Sequence, residues 1–357
     1  MAQSLCDSGP SPPINLSSPP SLSSATPPPQ PTIELSSSAD VTLVIGEEKQ
    51  LVRASVPALR NASSVWAAMF SGRWAESDTS EIAFPDDDIE AMLLVLRIAH
   101  IRFNEIPKKE GLSFQLLLDV AFVCDKYDLV HMVRPFLDLH NWAQPYSYPN
   151  YEGEGYPAWL FIAWTFGYAD SFDRLARDLA LSAKIQLAVV TKEIEDTWVT
   201  EDGHDIVQAT LPPEIFESIL QVRQSALVAG LEALYTILDG ALKATKCLAK
   251  TKDNKPIEAP ECRAEILRTL LPQLRSKSLY PERVQATSYR SSVLYLQFMV
   301  ETIKIGAHNS YYDGAYISHN SCAALLDFSS AIQKAVDQMP TPTLESHRRH
   351  MEEQAKK

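Results

Sequence analysis

Three cysteines and one histidine in the second half of the chain have the side chains and the spacing that a zinc site needs. His319 and Cys322 lie three residues apart, about one helical turn, so both side chains can face one metal ion. Cys247 and Cys262 flank a loop rich in Lys, Asp and Pro. Their spacing differs from the C-x-x-C of common zinc modules, and a free cysteine is often a small buried apolar residue. Two interpretations stay open: a structural zinc site, or separate core cysteines.

The predicted positions of these four residues place their side chains close together in the fold, whether or not a metal is bound. A long predicted helix ends near Cys247, and Cys262 opens the next helix after a short polar loop. His319 and Cys322 begin the last predicted helix. Because helix ends in a bundle gather in two layers, we expect the four side chains to approach each other.

The chain lacks the short motifs of common enzymes. It contains no G-x-S-x-G, no P-loop, no G-x-G-x-x-G and no H-E-x-x-H. His204 and Asp205 follow an acidic stretch that ends in Gly203, so we interpret them as an exposed loop. We therefore predict no catalytic or cofactor-binding residues. An unrecognised enzyme is the third of three functional interpretations.

Length and charge narrow the class of protein. The 357 residues are enough for about two domains. The formal charge of −13 disfavours a general nucleic-acid binder, which needs a basic surface. No uninterrupted run of 18 apolar residues is present, so we expect no membrane span. Five cysteines, an odd number, do not indicate a disulfide framework, and no secretory signal opens the chain. We expect an intracellular protein, in the cytoplasm or the nucleus.

The pattern from residue 39 to residue 142 predicts strands first and helices afterwards. Val41, Leu43 and Ile45 alternate with less apolar neighbours, as in a half-buried strand, and a polar turn leads to a second strand at 51–55. Pro57 suits the first turn of a helix that should end at Gly72. A third strand at 82–84 should precede helices at 89–99, 113–126 and from 127 onward. The first helix should bury one face, formed by Leu59, Ala62, Trp66, Met69 and Phe70. The helix at 89–99 should be largely buried, and Asp86, Asp87 and Asp88 should stabilise its N-terminus.

The order and spacing of these features resemble a BTB/POZ domain, of the divergent kind abundant in filamentous fungi. The resemblance covers residues 39–142. The residues that carry it are Ala39-Asp40-Val41, Leu59-Arg60-Asn61-Ala62-Ser63, Trp66, Met69-Phe70, Trp74-Ala75-Glu76-Ser77, the stretch 82–84, Asp86-Asp87-Asp88 and Cys124-Asp125-Lys126-Tyr127-Asp128-Leu129.

This resemblance implies a small sheet flanked by helical hairpins and an activity of association rather than catalysis. A homodimer and the recruitment of protein partners are implied, in some members a cullin ubiquitin-ligase scaffold. The interface candidates on this chain are Asp40, Val65, Met69 and Phe70. Ser55 stands where many members place a basic partner for the residue that Asp40 matches. The family's aromatic-Thr-Gly, which ends a helix and often contacts cullin, is missing, and Ala99-His100-Ile101 stands in its place.

The remaining segments are assigned by composition and periodicity. Residues 1–38 hold nine prolines and eleven serines, too polar to form a core, so we predict a disordered tail. Residues 143–156 read as a Tyr/Pro/Gly linker. Residues 157–339 show helical periods, among them a long helix from 211 to about 249 and shorter ones at 264–274, 293–305 and 322–336. We therefore predict an α+β fold, a BTB/POZ domain followed by an all-α domain, with a frayed charged tail at 340–357.

Overall fold

The computed structural model describes residues 31–71, 80–108, 111–146, 153, 155–190, 193–244, 247, 250, 260–312 and 315–357. Within these ranges the strands are β1 (Ile33–Glu34), β2 (Val41–Ile45), β3 (Gln50–Ala54), β4 (Glu81–Phe84), β5 (Lys184–Val190), β6 (Glu193–Val199), β7 (Asn309–Tyr312) and β8 (Ala315–Ser318). The helices of the first half are α1 (Val56–Ala62), α2 (Ser64–Met69), α3 (Ile89–Ala99), α4 (Phe114–Tyr127) and α5 (Val130–Leu139). Those of the second half are α6 (Trp159–Phe166), α7 (Ala169–Ser182), α8 (Ile215–Lys243), α9 (Pro260–Ser276), α10 (Val293–Glu301), α11 (Asn320–Ala324), α12 (Phe328–Asp337) and α13 (Glu345–Gln354). The protein is a mixed α+β fold.

A four-stranded sheet organises the first half of the chain. Its strand order is β1-β3-β2-β4, with β2 antiparallel to β3 and parallel to β4. Val41, Leu43 and Ile45 are at most 4% exposed, so the predicted period-2 face is the face that meets the core. The three predicted strands are confirmed. The fourth, β1, was missed: Ile33 and Glu34 pair in parallel with β3, and Leu35 is buried, so the predicted disordered tail is wrong at its end. Residues 1–30 lie outside the described residues.

The single predicted helix after Pro57 is two helices joined at Ser63. The backbone of Ser63 is extended, and its hydroxyl accepts the N–H of Trp66 at 3.0 Å, so Ser63 caps α2. The same hydroxyl donates to the carbonyl of Tyr127 at 2.5 Å, which fixes the break against α4. Pro57 lies in the first turn of α1, as predicted. The predicted helix end at Gly72 and the stretch 74–77 lie outside the described residues.

The helices that follow β4 close the core of the first half. Asp88 caps α3 by accepting the N–H of Ala91 at 2.8 Å, which confirms the predicted acidic helix start. Seven of the eleven residues of α3 are buried. Asp128 was expected to open the next helix; instead it ends α4 in the left-handed conformation, at φ 55°, and α5 begins at Val130.

The second half is not all-α, so that prediction is wrong. Two antiparallel hairpins, β5–β6 and β7–β8, interrupt the helices. The predicted helix at 322–336 is also split, because Asp327 accepts the N–H of Ser330 and starts a new helix, α12. The long helix α8 spans Ile215–Lys243, shorter at both ends than predicted, and α10 ends at Glu301 rather than near 305.

Helix α8 is the centre of the second half. It packs against α12 and α7, and it buries Arg223 as well as its apolar residues. By length and composition alone α8 could cross a membrane, with 44% of its most apolar window buried here. A core helix meets the same criteria, and α8 packs against α7, α10 and α12 of this chain.

The charged segment 340–357 is folded, so the predicted frayed tail is wrong. Helix α13 packs on α6 and α7, and His347 and Met351 on it are buried. His350 stacks on Trp164 at 3.8 Å between ring centroids. The close approach of α13 to the end of α6 depends on Gly167, where an added Cβ would lie 2.7 Å from the Met351 carbonyl oxygen.

The segment predicted as a linker is ordered where it is described: Ala143 and Tyr156 are buried.

Candidate functional site

The structure brings Cys247, Cys262, His319 and Cys322 together. Their four ligand atoms, three sulfurs and one imidazole nitrogen, all lie within 4.8 Å of one another. The Cys247 sulfur lies 3.0 Å from His319 Nδ1 and 3.4 Å from the Cys322 sulfur. A disulfide bond is about 2.05 Å long, so these cysteines are free thiols in this arrangement.

Three separate parts of the chain place these ligands. Cys247 follows α8, and Cys262 lies in the first turn of α9. His319 comes directly before α11, and its carbonyl oxygen accepts the N–H of Cys322 at 2.9 Å, so these two ligands are held one turn apart. The sequence spacing therefore places His319 and Cys322 locally, whereas Cys247 and Cys262 depend on the packing of α8 and α9.

The β7–β8 hairpin orients His319. Asn309 pairs with Ser318 in the ladder, and the N–H of His319 donates to the carbonyl of His308 at 3.2 Å, so the two histidines face each other at the base of the hairpin. Their rings lie 5.4 Å apart. Sequence reasoning missed His308 as a neighbour, because the hairpin itself was missed.

Burial sets the protonation of the cluster when no cation is bound. It raises the pKa of the Cys262 thiol to about 12, and hydrogen bonding to Cys322 adds to the effect. Burial also lowers the pKa of His319, and His308 lowers it further. At neutral pH Cys262 is therefore a protonated thiol and His319 a neutral imidazole. A bound metal cation would stabilise thiolates here instead.

The surroundings of the cluster are apolar but accessible. Two of its members, Cys262 and Cys322, are buried together with Ile266, and Ile305 and Leu326 pack against these three residues. A cavity of about 790 Å³ reaches all three cysteines. An ion therefore has an entry path between the described residues, which a metal site requires.

The predicted interface residues occupy different environments. Asp40 accepts the N–H of Val56 at 2.7 Å and so caps α1, a role that Ser55 leaves open because its own side chain makes no cap bond. Val65 is 37% exposed on α2, whereas Met69 and Phe70 are half-buried against the core. Of the four, Val65 is the apolar side chain most accessible to another molecule.

Sequence reasoning missed an apolar strip beside α5. We define this α5 strip as Ile101, Phe103, Met132, Phe136 and Leu139. Ile101 is 73% exposed and Leu139 is 70% exposed. Phe103 and Phe136 are in ring contact at 5.1 Å, and Ile101 and Met132 line one groove of about 490 Å³. The spacing of Met132, Phe136 and Leu139, four and three residues, was the available signal.

His100 lies beside this groove, in the segment where the resemblance places cullin contacts. Its Nε2 accepts the N–H of Ser55 at 2.9 Å, and its Nδ1 lies 2.8 Å from the Leu96 carbonyl. The ring therefore carries its proton on Nδ1 and links the end of α3 to the start of α1. Burial lowers the pKa of His100.

No protein-family model matches the chain. No curated protein matches it either.

Proposed function

We propose that this protein is a non-enzymatic scaffold of the BTB/POZ type, which associates with itself through its first half and recruits other proteins. The observation that carries the proposal is the arrangement of β2, β3, α1, α2, β4 and α3–α5. A small sheet carries α1 and α2 between its strands β3 and β4, and α3–α5 follow the last strand. Its exposed apolar groups suit the binding of protein.

We place the self-association surface on the exposed side of α2, where Val65 is 37% exposed. A Val65→Glu substitution tests this assignment better than changes at Met69 or Phe70, because Met69 and Phe70 also pack on the core and their loss would perturb folding. Val207→Glu is the matched control: Val207 is 53% exposed and lies in the second half of the chain.

Light scattering on the full chain at tens of micromolar, the range of a weak interface, measures the outcome. We expect a dimer for the unmodified chain and for Val207→Glu, and a monomer for Val65→Glu. A monomeric unmodified chain at these concentrations would refute self-association. A Val65→Glu protein that stays dimeric would place the interface elsewhere.

The second candidate function is that of a substrate receptor for a cullin-type ubiquitin ligase. The α5 strip favours it, since it is an exposed apolar surface next to the segment 99–101 where the resemblance places cullin. The host's own cullin should be retained by the immobilised full chain and lost on Leu139→Glu. Leu187→Glu, at an equally exposed leucine, should keep the cullin. No retention at low salt would remove this candidate and leave the scaffold.

A further inference from the structure

We infer that Cys247, Cys262, His319 and Cys322 form a closed, structural zinc site that fastens the β7–β8 hairpin to the ends of α8 and α9. This goes beyond the proposed scaffold function, because the site lies in the second half of the chain and does not depend on the self-association of the first half.

The distances between the donor atoms fit a tetrahedral zinc ion. Sulfurs about 2.3 Å from a zinc ion at tetrahedral angles lie ~3.8 Å apart. Cys247 and Cys322 have their sulfurs 3.4 Å apart, and no pair among the four donor atoms exceeds 4.8 Å. Small shifts of the side chains would therefore bring all four donors to bonding distance around one point.

The types of donor favour zinc over the hard cations magnesium and calcium. Three thiolates and one imidazole are soft or borderline ligands, which exclude magnesium and calcium and suit zinc. All four positions come from protein side chains, whereas a catalytic zinc ion keeps one position for water or substrate. The set of donors therefore indicates a structural site.

Separate core cysteines would not produce this arrangement. Cys124 shows what a core cysteine looks like here: it is completely buried on α4 within the main apolar core. The cysteines of the cluster instead converge on the imidazole of His319, a polar side chain that is also completely buried. Three cysteine sulfurs grouped around one buried imidazole are the donor set of a Cys₃His zinc site.

Among the described residues, the local apolar cluster at this end of the second half has three buried members, Cys262, Ile266 and Cys322, and two of them are proposed ligands. Free energy from metal binding becomes folding free energy when the site forms only in the folded chain. The ion would thus join three segments: the stretch after α8, the start of α9 and the base of the β7–β8 hairpin.

Metal analysis of the full chain, purified without chelator or histidine tag, tests the site. We expect about one zinc per chain, falling below ~0.2 for Cys262→Ser, Cys322→Ser and His319→Gln, because each removes one of four ligands. Cys124→Ser and His204→Gln are the matched controls and should keep the zinc. Cys124 is a buried cysteine outside the cluster, and the ring of His204 packs on Tyr156 rather than on the cluster.

A second measurement separates loss of metal from misfolding of the variants. The unmodified chain is stripped with a chelator and refilled with Co²⁺, which should give the visible absorption of a tetrahedral site and the charge-transfer bands of cobalt–thiolate bonds. Hydrogen exchange in β7, β8, α11 and the first turn of α9 should be faster in the stripped protein, while exchange in α3 and α4 should not change.

Any of three results would overturn the inference: no zinc in the unmodified chain, equal loss of metal in Cys124→Ser, or a stripped protein whose exchange in the β7–β8 hairpin is unchanged.

Discussion

Arg223 is the buried charge whose removal should cost the second half most stability. It lies on α8 and is 2% exposed. Its Nε donates to the carbonyl of Ala183 at 2.8 Å, and its Nη2 donates to the carbonyls of Tyr289 and Ser291 at 2.9 and 2.7 Å. The guanidinium also lies 4.8 Å from the centre of the Trp198 ring. One side chain therefore joins α8 to the end of α7, to β6 and to the segment before α10.

The expected effect of Arg223→Met follows from these contacts. Each buried carbonyl left without a donor costs about 1–3 kcal/mol, and a buried cation–π contact contributes up to about 2 kcal/mol. Against this, the substitution relieves the desolvation of the guanidinium, which lowers the pKa of Arg223 to about 10. We expect a net loss of about 3–5 kcal/mol in the free energy of unfolding, the lower part of the range that three unpaired carbonyls give. Arg223→Lys keeps the charge with fewer donors and should lose less.

Urea unfolding followed by far-UV circular dichroism and tryptophan fluorescence measures this loss. Arg290→Met is the matched control, because Arg290 binds Asp196 through two hydrogen bonds at the surface, where ion pairs contribute little. If Arg223→Met unfolds at the same urea concentration as the unmodified chain, the three carbonyl contacts do not stabilise the fold and the reasoning fails.

Two further predictions concern His100 and Gly167. Because burial holds the pKa of His100 below its usual 6.5, the unfolded chain binds more protons between the folded value and 6.5. Stability should therefore fall as the pH drops below 6.5, and urea midpoints of His100→Gln should depend less on pH in that window than those of the unmodified chain. Gly167→Ala should lower the free energy of unfolding by more than the about 1–2 kcal/mol of left-handed backbone strain, because the new Cβ also meets the backbone of α13. Gly203→Ala carries similar strain in open space, so equal losses in the two variants would contradict the clash.

The first half of the fold follows from local patterns. The alternation of Val41, Leu43 and Ile45 and the acidic residues before α3 are signals contained in a few neighbouring residues, and the structure contains the elements they predict. The break at Ser63 was not predictable in this way. It depends on the hydrogen bond from Ser63 to Tyr127, 64 residues away, which no local pattern reports.

The other elements that were missed or wrongly predicted, β1 in the first half and β5 and α13 in the second, also depend on residues that are distant in the sequence. Strand β5 exposes Gln186 and Leu187, so its described side chains, those of residues 184–187, show no buried alternating face. Helix α13 has a polar composition and is fixed by distant residues, Trp164 through ring stacking and Gly167 through close approach. β1 is too short for any period and gains its order from pairing with β3.

The four residues of the candidate site could be predicted from the sequence, but the residues that surround them could not. The short spacing of His319 and Cys322 and the helix ends at Cys247 and Cys262 were sufficient to expect convergence. The position of His308 beside His319 depends on the β7–β8 hairpin, whose first strand carries Asn, Ser and Tyr rather than an apolar alternation. The α5 strip was missed because an exposed apolar face has the same period as a buried one.

Native mass spectrometry of the full chain, purified without chelator, tests the central claim most directly, because one spectrum reports both self-association and metal content. The account predicts a species of about 79 kDa, twice the 39.7 kDa chain, carrying two zinc ions. A metal-free species of 39.7 kDa would contradict both the scaffold and the zinc site. A metal-free dimer would contradict the zinc site alone, and a zinc-bound monomer would contradict self-association alone.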